Sequence, residues 1–183
     1  MWKKGDVKYA IMPEDAPLTT GARMADATPQ LEPVIIAVNR VSRPRYPDWM
    51  GKGGLLYPEL EGTGPARYDL AAIELWQYET PEPVKIVRIV RDLESGLDLA
   101  NHIELLDLEA IRSKGLPVYR RFYEGLGLFA LKSAIRSERG SLNVPFLAER
   151  DDELVIEWLR FREDWDLDFR ALRFSDALRV PMK

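Results

Sequence analysis

The last third of the chain constrains the fold most, because short apolar runs alternate there with tight-turn sequences. Between residues 125 and 175, the polar sequences SERG (137–140) and RDDE (150–153) separate apolar segments of strand length. Strands that are joined by such short turns pair in antiparallel fashion. This block therefore predicts a C-terminal β-meander. Its strand segments are 125–135, 141–147, 153–161 and 171–174.

Two of these segments indicate their own place in the sheet. The first, GLGLFALKSAI (125–135), has apolar residues on both faces, which is typical of a central strand. The second contains Pro145, and the nitrogen of proline cannot donate a hydrogen bond to a neighbouring strand. We therefore expect the second strand to lie at an edge of the sheet or to be bulged at Pro145.

Upstream of the meander, the sequence predicts one strand, one ambiguous segment and three short helices. VIIAVNRV (34–41) is rich in β-branched residues, which favour strands. AAIELWQYE (71–79) is compatible with a strand, or with a helix that Asp69 caps. Asp107 is expected to cap the second of the three helices. The helices predicted from capping and stop signals cover about 81–95, 107–114 and 117–124.

Strands at both ends of the chain with helices between them indicate an α+β fold. We expect an antiparallel or mixed sheet with the C-terminal β-meander, packed against about three short helices. A length of 183 residues suits one domain. Residues 1–33 are rich in proline and lack periodicity, so the sequence predicts an extended or disordered arm there and a single α+β domain over 34–183.

Composition excludes several classes of site. The chain has no cysteine, so disulfides, thiolate metal sites and a cysteine nucleophile are excluded. The formal net charge of −4 argues against a strongly basic nucleic-acid binder. The sequence contains no apolar run of about 18 residues and no secretory pattern at its start. These features predict a soluble cytoplasmic protein without a membrane partner.

The connection over residues 42–68 is the main candidate for a binding surface. It is long and rich in proline and glycine, and long loops inside compact domains are often functional. Basic and aromatic side chains interleave in the first part of this connection, and Arg40, just before it, belongs to the same basic group. The candidate binding residues are Arg43, Arg45, Tyr46, Trp49 and Lys52. Such residues could contact an acidic protein face, hold single-stranded nucleic acid by stacking and phosphate contacts, or simply anchor the loop.

The segment EDWDLD (163–168) is the densest acidic run and the one candidate metal site. If the segment is extended, its three aspartates point the same way and would suit Mg²⁺ or Ca²⁺. They are Asp164, Asp166 and Asp168. The calcium-loop pattern fails, because its glycine and glutamate positions hold Phe169 and Ser175. A solvated acidic loop is the alternative interpretation.

Other catalytic patterns are weak. His102 is the only histidine, and a packing or capping role is more usual for a lone histidine than that of a general base. The sequence carries no nucleotide-binding glycine motif in a suitable context, so no cofactor is expected. The leading hypothesis is a non-catalytic binding or interaction protein that uses the 42–68 loop. The alternatives are an accessory protein that binds single-stranded nucleic acid through the same loop, and a metal-dependent enzyme built on residues 163–168.

Residues 69–174 also contain a loose series of short motifs. The motifs are IELW (73–76), LDLEAI (106–111), LFALKSAI (128–135), LNVPFL (142–147), LVIEW (154–158) and DWDLDFRALRF (164–174). Together they resemble a pattern in small uncharacterised bacterial proteins of no known activity. The resemblance implies one domain with the N-terminal arm as an addition, and it implies no activity, cofactor or substrate.

Overall fold

The computed structural model describes residues 32–50, 54–78, 85–95, 98–162, 168–175 and 178. The chain divides into two units, Met1–Glu32 and Pro33–Lys183, and apart from Glu32 all described residues belong to the second. The predicted arm therefore lies almost wholly outside the described residues, and its state stays a prediction. No helix in the described ranges is long and apolar enough to cross a membrane.

The described strands form two sheets. They are β1 (Ile35–Ala37), β2 (Arg67–Asp69), β3 (Ile73–Trp76), β4 (Gly127–Phe129), β5 (Ile135–Arg136), β6 (Leu142–Arg150), β7 (Glu153–Arg160) and β8 (Phe169–Phe174). β1 and β2 make an antiparallel pair of their own. The main sheet runs β3, β8, β4, β6, β7, and β5 lies beside β6 on the same side as β4. Only β4 and β8 pair in parallel, so the sheet is mixed.

Three helices accompany the main sheet, and apolar clusters lie on both of its faces. The helices are α1 (Ile86–Ser95), α2 (Leu105–Ser113) and α3 (Leu116–Tyr123). Side chains of α2, α3 and the β1–β2 pair join one cluster, and side chains of α1 join the other. On β4, Leu128 belongs to the first cluster and Phe129 to the second. The α+β prediction is confirmed. The predicted central position of the GLGLFALKSAI segment holds for its first part, β4, which lies between β6 and β8.

The first two segments of the predicted meander differ from the prediction. The GLGLFALKSAI segment is not one strand, because a 3₁₀ turn at Leu131–Ser133 separates β4 from β5. Pro145 lies in β6, which has neighbours on both sides and is no edge strand. Its register with β7 continues through Pro145 opposite Trp158, so the strand is not bulged there either. The turn explains the proline: the Ala130 N–H donates to the Pro145 carbonyl at 3.0 Å, while the Ala130 carbonyl accepts from the Ser133 N–H at 3.1 Å. No ladder donor is needed from Pro145.

The last strand leaves the meander. β5, β6 and β7 follow one another in antiparallel order, as predicted, but β8 lies between β3 and β4 instead of beside β7. Gly127 of β4 is opposite Phe169 of β8, and a Cβ at Gly127 would lie 2.5 Å from the Phe169 ring. Such a contact is too short, so this parallel pairing requires glycine at 127.

Local capping differs from the prediction at two places. The N-cap of α2 is Glu104, and Asp107 is its N3 residue, so the two form a reciprocal capping box. Asp69 caps a short 3₁₀ turn, Leu70–Ala72, and β3 follows at once. Both interpretations of the 71–79 segment were therefore partly right.

The turn between β6 and β7 yields a simple stability test. Asp151 and Asp152 have φ values of 49° and 62°, as a two-residue hairpin turn with the twist of the sheet requires. Left-handed backbone costs an ordinary side chain about 1–2 kcal/mol and costs glycine nothing. We expect Asp151→Ala to lower the free energy of unfolding by about 1 kcal/mol and Asp151→Gly not to lower it, in urea titrations. Equal effects of the two variants would contradict this turn geometry.

Candidate binding surface

An ionic cluster beneath the 42–68 connection fixes that segment to the N-terminus of α2. We call Arg40, Glu104, Asp107 and Lys132 the ionic cluster. The Arg40 guanidinium donates to Glu104 at 2.6 Å and to the two oxygens of Asp107 at 2.7 and 3.0 Å. Both carboxylates are buried. The hydroxyl of Tyr68 donates to Asp107 at 2.9 Å. The cluster therefore holds two positive and two negative charges in the interior, where charges must be paired.

The same cluster binds the backbone of the connection. The second oxygen of Glu104 accepts from the Gly62 N–H at 2.7 Å, and Arg40 donates to the Pro65 carbonyl at 2.7 Å. Lys132 Nζ donates to both the carbonyl and the hydroxyl of Thr63, each at 3.0 Å. The backbone of residues 62–65 is thus bound both by the Arg40–Glu104 pair and by Lys132.

Burial and pairing shift the pKa values of the cluster in opposite directions. Burial lowers the pKa of Lys132 to about 8, although the charges of Glu104 and Asp107 oppose that effect. Burial also acts to lower the pKa of Arg40, but its hydrogen bonds and charge contacts with Asp107 and Glu104 raise it overall. Burial raises the pKa of Glu104 against the opposing charges of Lys132 and Arg40. Arg40 is therefore the permanent cation of the cluster.

Further anchors make the connection more ordered than its composition predicted. Two 3₁₀ turns lie within it, at Asp48–Met50 and Pro58–Leu60. Leu55 forms an antiparallel bridge with Ile135 of β5. The Tyr46 hydroxyl donates to Glu61 at 2.5 Å, and burial, followed by this contact, raises the pKa of Tyr46. The connection therefore presents its remaining exposed side chains from a fixed backbone.

The exposed side chains of the connection meet an aromatic residue of β7. Tyr46 and Trp49 pack against Trp158, with ring centroids 6.2 and 5.7 Å apart, and the two indoles are nearly perpendicular, at 87°. Trp49 is 43% exposed. We call Tyr46, Trp49 and Trp158 the aromatic platform. Large rings are usually buried, so an exposed indole on a fixed support is a candidate contact residue.

The structure brings together three of the five predicted binding residues. Arg45 and Tyr46 line a cavity of about 350 Å³ beside Trp158, and Trp49 lines a second cavity that Trp158 also borders. Arg43 is exposed but lines none of the cavities that the described residues form. Lys52 lies outside the described residues. The predicted surface is therefore centred on 45–49.

Four arginines that the sequence pattern did not indicate extend this surface. A cavity of about 470 Å³ is lined by Trp49 and Trp158, and a second of about 550 Å³ adjoins it; the two share Arg139, Ser141 and Arg160. We call the combined space the arginine groove. Its arginines are Arg136, Arg139, Arg160 and Arg162. All four are exposed, and none pairs with a carboxylate in the part of the chain that the structure describes.

Strand register explains why these arginines meet. Asn143 of β6 is opposite Arg160 of β7 and also opposite Ile135 of β5. The turn after β5 therefore lies beside the end of β7, although more than twenty positions separate them in the sequence. The one sequence signal for this proximity was the predicted pair of successive hairpins. Pairing their strands would have placed the SERG turn near residue 160.

The metal hypothesis receives no support from the described residues. Asp164 and Asp166 lie outside them, while Asp168 is exposed and lines a separate cleft of about 680 Å³ with Glu149 and Asp151. Within the described ranges, no three His, Asp or Glu side chains are grouped to hold a metal ion. A metal site at 163–168 remains an untested prediction.

His102 is part of the core. Its side chain is fully buried, and its ring packs edge-on against Trp76 at a centroid distance of 5.2 Å. Neither ring nitrogen makes a hydrogen bond of normal geometry to a described residue, although the Leu172 backbone lies close enough to favour the protonated ring. A carboxylate oxygen of Asp98 lies 3.9 Å from Nε2 of the ring. A ring without contact to solvent is unsuited to general base catalysis on an incoming substrate.

Comparison with protein-family models, with curated proteins and with solved structures found no match. The resemblance over residues 69–174 therefore stays a prediction. Function has to be inferred from the geometry of the described residues.

Proposed function

We propose that this protein is a non-catalytic binding protein and that its contact surface is the aromatic platform with Arg45 and the arginines beside it. The observation that carries the proposal is Trp49, which is 43% exposed yet held edge-on against Trp158. Tryptophan and arginine dominate the binding energy of contact surfaces, because they bury a large area and make several directed hydrogen bonds.

The support beneath the platform strengthens the proposal. Burying a side chain at an interface costs less when its conformation is already fixed in the free protein. The platform meets this condition, since Tyr46 is tied to Glu61 and the 62–65 backbone is tied to the ionic cluster. The partner therefore meets a preformed surface.

Site-specific photo-crosslinking tests the proposal. A photoreactive phenylalanine analogue at position 49 should form adducts with a specific macromolecule in host lysate, because that position lies in the contact surface. The same analogue at Arg67, an exposed position on the separate β1–β2 pair, is the matched control. Arg45→Ala should weaken the adducts from position 49. No adduct at 49, or equal adducts at 49 and 67, would show that the platform is not a contact surface.

A further inference from the structure

We infer that the ligand of this surface is single-stranded nucleic acid, with bases stacked on the aromatic platform and phosphates along the arginine groove. This inference rests on the proposed function, because it assigns a ligand class to the same surface. Its new element is the groove, which continues from Trp49 and Trp158 past Arg139 and Arg160 to Arg162.

The groove has free capacity to bind phosphate. Its four arginines are exposed and pair with no carboxylate of the described residues. Glu138 is the one acidic residue among those that line the two cavities. A guanidinium offers five donors in a planar fork that matches phosphate oxygens, so this lining suits a chain of phosphates.

The acidic turn of the β6–β7 hairpin does not cancel this local charge. On the β6–β7 hairpin, Arg160 and Arg162 lie at the open end, while Glu149, Asp151 and Asp152 surround the turn. Seven residues of strand separate the two ends, which is roughly 23 Å at about 3.3 Å per residue. Since the Debye length is about 10 Å at 0.1 M salt, the acidic turn is largely screened from the groove.

The neighbouring platform favours nucleic acid over an acidic peptide. Each nucleotide brings one phosphate and one flat base, and base–aromatic stacking suits the exposed indole of Trp49 beside the half-buried Trp158. An acidic peptide would engage the arginines but has no flat group in every residue to stack on Trp49 and Trp158. A duplex is disfavoured, because its base faces are covered by their own stacking. The combination of groove and platform therefore points to a single strand.

The test is fluorescence anisotropy with the full-length chain and a labelled thymidine oligonucleotide of about 15 residues. Single-strand affinity falls with a log–log salt slope of about −0.7 per phosphate contacted, so four arginines predict a slope near −3. We expect affinity to fall about 50-fold between 50 and 200 mM salt. A flat salt response would overturn the inference.

Variants separate the two parts of the surface. Arg139→Ala and Arg160→Ala should each weaken binding and make the salt slope shallower by about 0.7. Trp49→Ala should weaken binding roughly 5- to 150-fold and leave the slope unchanged, since stacking involves no counterion release. Arg67→Ala removes an exposed arginine outside the groove and should change neither quantity. Equal effects of Arg67→Ala and Arg139→Ala would overturn the assignment of the groove.

Two further outcomes distinguish this inference from the proposed function. Binding of a labelled oligoglutamate peptide without binding of the oligonucleotide would overturn the nucleic-acid assignment and leave the contact surface intact. Protein adducts from position 49 without oligonucleotide binding would likewise overturn the nucleic-acid assignment and support the contact surface. Failure of both the crosslinking and the anisotropy experiments would show that the platform is not a contact surface at all.

Discussion

Arg40→Met is expected to lower the free energy of unfolding by about 3–5 kcal/mol, the usual cost of removing one partner from a buried ion pair. The Arg40 side chain is 10% exposed, and those of Glu104 and Asp107 are 1% and 0% exposed. Without the guanidinium, two buried carboxylates remain with Lys132 as their only cation in the cluster. Methionine occupies much of the arginine stem, so the loss is mainly one of charge and hydrogen bonds.

Chemical unfolding in urea measures this loss, and Arg67→Met is the matched control. Arg67 is exposed, so its replacement should change stability by no more than about 0.5 kcal/mol. The triple variant Arg40→Met, Glu104→Gln, Asp107→Asn removes the uncompensated charges and should recover part of the loss. Amide exchange at Gly62 should accelerate in Arg40→Met, because its acceptor Glu104 is released. If Arg40→Met cost no more than the control, the ionic cluster would not be the anchor of the connection.

The elements that could be predicted from sequence are those that depend on local chemistry. The sequence RDDE predicted the turn at 150–153, because aspartate tolerates the left-handed backbone that the turn requires. The alternation in ELVIEWLRF predicted β7 to within one residue of its end. The helix over 105–113 was also predicted, but its start was placed at Asp107 because aspartate is a commoner cap than glutamate. Local preference thus located the element and missed its first turn.

The pairings that position the site depend on contacts between distant residues. Arg40 was grouped with Arg43 and Arg45 by sequence proximity, yet its partners Glu104 and Asp107 are 64 and 67 positions away. One arginine is consequently buried and structural while its neighbours are exposed. Sequence pattern reports hydrophobic periodicity well, but a charged residue gives no periodic signal that distinguishes these two fates.

The candidate surface was found in part for the same reason. Tyr46 and Trp49 stood out because aromatic and basic residues are adjacent in the sequence there. Trp158 did not, since it lies within an apolar strand segment, whereas the edge position of β7 leaves it half-buried against the two loop aromatics. Arg139 and Arg160 join the surface only through the register of the β5–β6–β7 strands.

His102 is expected to make the protein lose stability as the pH falls below about 6.5. Burial is the main cause that lowers the pKa of His102 to about 4; the charges of Arg173 and Lys132 act in the same direction, and Asp98 and the Leu172 backbone oppose them. In the unfolded chain the pKa returns to about 6.5. Between these two values the unfolded state binds a proton that the folded state does not, so stability is complete above the window and is lost as the pH falls through it.

The expected loss attributable to His102 is about 3 kcal/mol at a pH near 4, since each unit of pKa difference corresponds to about 1.4 kcal/mol. His102→Phe is the matched variant, because its ring can pack against Trp76 but cannot be protonated. The difference between the unfolding free energies of the two proteins should shift by this amount between pH values of about 7 and 4, while effects of the carboxylates cancel. Because His102 is the only histidine, its ring resonances in NMR report the folded pKa without ambiguity. A folded pKa near 6.5, or parallel stability curves for the two proteins, would show that the ring is not held neutral by burial.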